Sequence, residues 1–222
     1  MTNQISNNLH KVRNNIAIFS KKYNRNSGDV NLIAVSKTIL QDKIEDAIKS
    51  GCKDFGENRV EESLEKWPDL KIKYPDIKLH LIGRLQSKKA KKAVTIFDYI
   101  HSVDSIKLAN ILKNEMDKKK KYPKLFIQVN IGSEVSKTGV DIREIDNFIN
   151  ILKNEIKLDI FGLMCIPPAD EEASPYFTLL YNVAQKYKIP NLSMGMSRDY
   201  ESAIASNSNY IRIGTSIFGK RN

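Results

Sequence analysis

A lysine that closes an apolar run can do amine chemistry, and Lys37 stands in that position at the end of NLIAVSK, residues 31–37. If the run is a buried strand, the ammonium points into an enclosed mouth. Desolvation lowers a lysine's pKa and leaves the free amine that attacks a carbonyl. The same side chain could instead leave the strand and snorkel outward to water, so Lys37 alone leaves both readings open. Two later segments bear on the choice. SMGMS (193–197) and RIGTS (212–216) combine glycine with hydroxyl residues. Where such turns open into helices, they present free backbone N–H groups to an anion, helped by the helix dipole. Ser197, Gly214 and Thr215 are the candidate donors, and Gly214 lets the backbone approach closely. Ordinary turns are the alternative. An amine beside a phosphate cradle suits a phosphorylated aldehyde.

Whether the two meet depends on the elements that hold them. Short apolar runs alternate with helical periodicity along nearly the whole chain. Ile5, Leu9, Val12 and Ile16 lie three or four residues apart, which predicts an amphipathic N-terminal helix. The pattern predicts strands over 31–36, 53–56, 78–82, 97–102, 124–131, 157–164, 191–194 and 209–213. Helices are predicted over 41–50, 57–67, 86–94, 105–118, 142–154, 174–186 and 198–206, with Pro68 stopping the second of these. Eight βα units in 222 residues predict an α/β protein: a single (β/α)₈ TIM-type barrel with an additional N-terminal helix, one domain over 1–222. Active residues of such barrels sit at the C-terminal ends of the strands. The candidates there are Ser36 and Lys37, Glu57 and Asn58, 83–86, 102–104, 132–137, Met164, 193–197 and 212–215. Closure brings the last strand beside the first, and so the 212–216 turn beside Lys37.

Composition excludes several classes. No run of about 18 apolar residues exists to span a membrane, and the N-terminal MTNQISNNLHKVRNN has no secretory apolar core. Cys52 and Cys165 follow no metal spacing and predict reduced thiols in a cytoplasmic protein. The net charge is +10. The lysine runs at 88–92 and 118–121 lack the interleaved aromatics that stack on bases, so they read as solvated helix faces ahead of a nucleic-acid site, a reading that rests on charge alone.

Eight ordered blocks carry a resemblance: LIAVSKT (32–38), FGENRVEE (55–62), LHLIGRLQSKK (79–89), IHSVDS (100–105), QVNIGSEVSKTGV (128–140), FGLM (161–164), LSMGMSRDYESAI (192–204) and RIGTSIFGKR (212–221). In these the chain resembles the YggS/PROSC family of pyridoxal phosphate homeostasis proteins, which share the barrel of alanine racemase. The resemblance implies pyridoxal 5'-phosphate as cofactor, covalent on Lys37 as a Schiff base. It implies that Ser197 and the N–H groups of Gly214 and Thr215 hold the phosphate, that Asn58 meets the cofactor's edge, and that Met164 and Met196 line the pocket. Arg212 falls where the related racemases set an arginine against the pyridine nitrogen. Lys88, Arg84 and Leu81 depart from the family's usual residues, away from the lysine and the cradle.

An arginine at that nitrogen keeps it unprotonated and the ring a weak electron sink. Racemisation also needs a second base opposite the lysine, which alanine racemase takes from a tyrosine of another domain. With the chain ending at Asn222, no such domain is expected, and Tyr200 and Tyr210 read as packing residues. The expectation is a cytoplasmic, metal-free monomer that buffers the cofactor or delivers it to pyridoxal-phosphate-dependent apo-enzymes in vitamin B6 homeostasis. The alternative is a fold-type III enzyme such as a weak amino-acid racemase.

Overall fold

Parallel strands need a crossover to bring the chain back to the same end of the sheet, and helices supply it in most of the intervals here. The computed structural model describes residues 4–134 and 138–219. Its elements are α1 (Gln4–Lys22), β1 (Asn31–Val35), α2 (Gln41–Lys49), β2 (Asp54–Glu57), α3 (Val60–Lys73), β3 (Lys78–Leu81), α4 (Ala90–Ile96), β4 (Tyr99–Val103), α5 (Ile106–Lys119), β5 (Lys124–Asn130) and the short β6 (Val140–Asp141). They continue with α6 (Ile145–Asn150, prolonged by a π-helical turn over Ile151–Glu155), β7 (Gly162–Cys165), α7 (Ser174–Tyr187), β8 (Asn191–Met196), α8 (Tyr200–Ala205), β9 (Tyr210–Ile213) and α9 (Thr215–Phe218).

All pairings are parallel, in the order β4-β3-β2-β1-β9-β8-β7-β5, and a β4–β5 pairing closes the ring; β6 lies beside β5. This is the predicted eight-stranded barrel with surrounding helices and an additional N-terminal helix. Ile5, Leu9, Val12 and Ile16 form the buried face of α1, as their spacing predicts. One apolar layer lies between sheet and helices. A second fills the lumen, where Ile33, Phe126, Met164 and Tyr210 pack with Tyr99 and Phe161. Phe126 fits because β7 opens on Gly162, where a Cβ would stand 2.4 Å from the Phe126 ring. No described helix is long and apolar enough to cross a membrane.

Two expected boundaries shift. The helix predicted to stop at Pro68 continues to Lys73. Proline forfeits one helical hydrogen bond, but Trp67 and Leu70 on either side of it are fully buried, and that packing keeps the last turn in place. The strand predicted over 157–164 is paired only over Gly162–Cys165. Lys157 takes φ +54, so the apolar residues after it turn back under α6 before the strand begins.

Candidate functional site

Lys37 follows β1 in a turn and is half-buried. Both of its neighbours are fixed. Ser36 is fully buried, its N–H donates to Gly56 O at 2.9 Å and its Oγ donates to Glu57 Oε1 at 2.7 Å. Thr38 has φ +62, a region that β-branched residues rarely enter, and its N–H donates to Glu62 Oε1 at 2.6 Å. Helix α3 supplies the clamp. Glu62 and Lys66 stand one helical turn apart and pair at 2.9 Å, while Lys66 Nζ also donates to the Ser36 carbonyl at 2.9 Å and pairs with Glu57 at 2.8 Å. Trp67 Nε1 adds a bond to Glu57 Oε1 at 3.1 Å. Burial pushes the Glu57 carboxyl up from its ordinary value, and Lys66 opposes the shift.

The anion-facing turns lie next to this lysine. Ala34 of β1 is in register with Ile213 of β9, so Lys37 and Gly214 leave adjacent strands at the same end of the barrel. Thr215 and Ser216 are exposed, and as the first residues of α9 they have N–H groups without intrahelical acceptors. Asn8 Nδ2 of α1 donates to Ile217 O at 2.9 Å and pins this turn from outside. Ser197 is half-buried between β8 and α8. The bend before it needs glycine: Gly195 has φ +93, and a Cβ there would stand 2.5 Å from the Ala203 Cβ. Asn58, half-buried, follows β2, and Met196 is 39% exposed at the mouth. Met164 lies fully buried in the lumen. Lys37, Asn58, Met196, Ser197, Gly214 and Thr215 therefore share the C-terminal mouth, with Arg212 and Met164 on the strands below. Of the predicted 132–137 loop, residues 135–137 lie outside the described residues.

Arg212 is 4% exposed. It donates from NH1 to Ser193 Oγ at 2.8 Å and from NH2 to Cys165 O at 2.9 Å. A guanidinium has five N–H donors, so these two bonds do not exhaust it. Behind Ser193 the polar contacts continue across the lumen. Ser193 Oγ is 2.9 Å from His101 Nδ1, His101 Nε2 is 3.0 Å from His80 Nδ1, and His80 Nε2 is 3.0 Å from Asp54 Oδ1. Tyr99 stacks on His80 at 4.2 Å and Phe126 on His101 at 4.1 Å. Burial holds both imidazoles below the usual histidine range, His101 well below it, which favours their neutral forms. Among the described residues no cluster of three or more His, Cys, Asp or Glu could hold a metal.

Sequence reasoning flagged Glu57 and Ser193 only as strand-end positions and missed Lys66, Trp67, His80 and His101. A signal existed: His80 and His101 each interrupt an apolar strand, in LHL and IHSV, and the two strands are consecutive. Tyr200 and Tyr210 are packing residues as expected. The Tyr200 ring lies 5.6 Å from Phe19 and its hydroxyl accepts from Asn15, while Tyr210 sits in the lumen stack.

Comparison with known proteins identifies the family. The family described as alanine racemase, N-terminal domain, matches residues 7–222. The pyridoxal phosphate homeostasis protein of Escherichia coli is 34% identical over 228 residues, covering 99% of this chain and 97% of the relative. PipY of Synechococcus elongatus, solved with PLP bound, superposes with a TM-score of 0.82 at 34% identity, over 97% of this chain and 100% of PipY. The alanine racemase of Bartonella henselae shares the fold at a TM-score of 0.71 and 17% identity, over 98% of this chain and 60% of the racemase. The chain belongs to the alanine racemase N-terminal domain family and, within it, to the pyridoxal phosphate homeostasis proteins.

Proposed function

We propose that this member of the family binds pyridoxal 5'-phosphate, joined to Lys37 as a Schiff base, and buffers or delivers it instead of turning over substrate. The pairing of β1 with β9 supports this most, because it sets the Lys37 turn beside the exposed start of α9. The residues present fit the group. Arg212, a donor-only cation with N–H capacity beyond its two internal bonds, would donate to an unprotonated ring nitrogen. Ser197 and the N–H groups of Gly214 and Thr215 would hold the phosphate, Asn58 the ring edge, and Met164 and Met196 the apolar walls. When bound, the group would supply an aldehyde, and Lys37 would supply the amine that holds it.

A carrier role draws support from the same residues. Arg212 at the ring nitrogen disfavours its protonation and so weakens the ring as an electron sink. Tyr200 and Tyr210 are held by packing partners, and neither is offered as a second base. We propose further that the protein works as a single-domain cytoplasmic monomer serving pyridoxal-phosphate-dependent apo-enzymes. The relatives' designation as homeostasis proteins, and PipY's structure with PLP bound, are in keeping with this.

Absorbance before and after borohydride, followed by peptide mapping, tests the reading. A yellow protein whose reduced adduct maps to Lys37 is the expected result. An adduct on another lysine overturns the site, and a protein that stays colourless when offered the cofactor overturns the function. Incubation with L-amino acids in D₂O should leave Cα hydrogens in place; sustained exchange would make it an enzyme.

A further inference from the structure

The contacts running from Arg212 to Asp54 form an unbranched chain, and its two ends are chemically opposite. Arg212 can only donate, and an ionised Asp54 can only accept. Between them stand three groups that can each do both: Ser193, His101 and His80. We propose that Asp54, at the N-terminal face of the barrel, is a positioning residue for Arg212 at the opposite face, acting through this chain of fixed hydrogen-bond direction. The proposal rests on the reading above that Arg212 meets the cofactor.

The direction follows from donor accounting. Arg212 donates to Ser193 Oγ at 2.8 Å, so the Ser193 hydroxyl hydrogen is free to go to His101 Nδ1, 2.9 Å away. His101 then carries its hydrogen on Nε2 and donates to His80 Nδ1 at 3.0 Å, and His80 donates from Nε2 to Asp54 Oδ1 at 3.0 Å. Every group donates once and accepts once. In the reverse order His101 Nδ1–H would fill the second lone pair of Ser193 Oγ, beside the one that Arg212 occupies. The serine's own hydrogen would then be stranded in a fully buried site, and His80 Nε2 would face a carboxylate lone pair to lone pair. Either imidazole, if protonated, would create the same conflict. Cation and anion thus impose one order from both ends, and each link polarises the next. Stacking of Tyr99 on His80 at 7° and Phe126 on His101 at 14° fixes the ring planes.

Asp54 itself lines an open cavity of about 360 Å³ under the barrel, with Arg13, Asn31 and Lys53 among its other walls. The anion is therefore hydrated at one end of a chain whose other end is buried against the site. Loss of its charge weakens each successive acceptor, and finally the Ser193 oxygen that holds NH1 of Arg212.

Nitrogen-15 NMR of the two imidazoles decides the direction, on the protein as purified and again after the cofactor is removed. Both rings should be neutral with hydrogen on Nε2; hydrogen on Nδ1 of either ring, or an imidazolium at neutral pH, overturns the proposal. Asp54→Asn in the loaded protein should shift the cofactor's absorbance maximum and weaken retention roughly threefold to tenfold, in the lower part of the range for coupled members of one network. Lys53→Ala, in the same cavity but off the chain, should do neither. If Asp54→Asn fails to fold, Asp54→Glu keeps an acceptor-only terminus and should preserve the Nε2–H forms; their loss there counts against the proposal. Arg212→Lys separates the two levels. If it leaves the absorbance unchanged, the cofactor reading of Arg212 fails while the NMR test of the chain stands. If it changes the absorbance and Asp54→Asn does not, the remote role of Asp54 fails alone.

Discussion

At Arg212, a permanent cation that is 4% exposed, the protein uses two donors internally. Removing this side chain should therefore hurt twice. Arg212→Ala takes away the partner of the ring nitrogen and leaves Ser193 Oγ and Cys165 O without their donor, at about 1–3 kcal/mol for a buried group so stranded. We expect retention of the cofactor, measured by equilibrium dialysis, to weaken more in Arg212→Ala than in Lys88→Ala; equal effects would show Arg212 to be away from the site. Lys37 behaves differently. Ser36 and Thr38 keep their own turn-shaping bonds in Lys37→Ala, so the variant tests the covalent link. It should forfeit the borohydride-stable adduct in mass spectra and keep weak phosphate-anchored binding. Lys37 and Gly214 were legible in the sequence because each carries its signal locally, an apolar run ending in an amine and a glycine before a helix start. His80 and His101 were not, because a histidine in a strand gains meaning only when the neighbouring strand sets its partner 3.0 Å away.

Helix α3 shows how one element can set a site from behind. Lys66 neutralises a fully buried Glu57, whose Oε2 already lacks a partner. Breaking a buried pair from one side typically costs about 3–5 kcal/mol, and Lys66→Met should approach that loss. The pH dependence has a definite sign. With Lys66 gone, only the Ser36 and Trp67 hydrogen bonds still oppose the burial that raises the Glu57 pKa, so the folded state holds more tightly a proton that the unfolded chain releases near its ordinary 4.5. The variant is then least stable at neutral and high pH and recovers as pH falls towards that value. Urea melts at pH 5 and pH 8 should separate accordingly, and Glu57→Gln in the same chain should close the gap. The turn after β8 is the second test at this scale. Gly195→Ala forces φ +93 on a residue with a Cβ and drives that atom to 2.5 Å from Ala203, a loss of roughly 2–4 kcal/mol from strain and overpacking together. Most elements were legible from periodicity. The exceptions were decided by tertiary contacts: burial of Trp67 and Leu70 carried α3 through Pro68, and the left-handed turn at Lys157 delayed the start of β7.

A barrel whose lumen carries a polar chain from one face to the other stakes its stability on two histidines staying neutral. Closure of the ring was readable from the count of βα units; the polar content of its interior was not, because it depends on which residues of non-adjacent strands meet. His101 on β4 and Ser193 on β8 lie 92 positions apart in the chain and 2.9 Å apart in space. Burial lowers the folded pKa of both imidazoles below the ordinary 6.5. Above pH 6.5 neither state binds protons there and the contribution is full; below it the unfolded chain takes up protons that the fold refuses, and stability falls. Two such groups give a slope approaching about 2.7 kcal/mol per pH unit. Glu57 and Asp104, both raised by burial, act in the opposite direction. Carboxylates lowered by surface partners, such as Glu45 and Asp146, add their losses only below their own ordinary values. The interval just under pH 6.5 therefore belongs to the histidines. Denaturant melts of the cofactor-free protein, which remove the added stability of bound ligand, should show this early acid limb. The double variant His80→Gln/His101→Gln, though less stable at pH 7, should lose less than the parent between pH 7 and 5. Parallel curves for the two proteins would mean that the imidazoles accept protons inside the fold, and a lumen that tolerated them could not keep Arg212 and Asp54 joined by a single direction of hydrogen bonds.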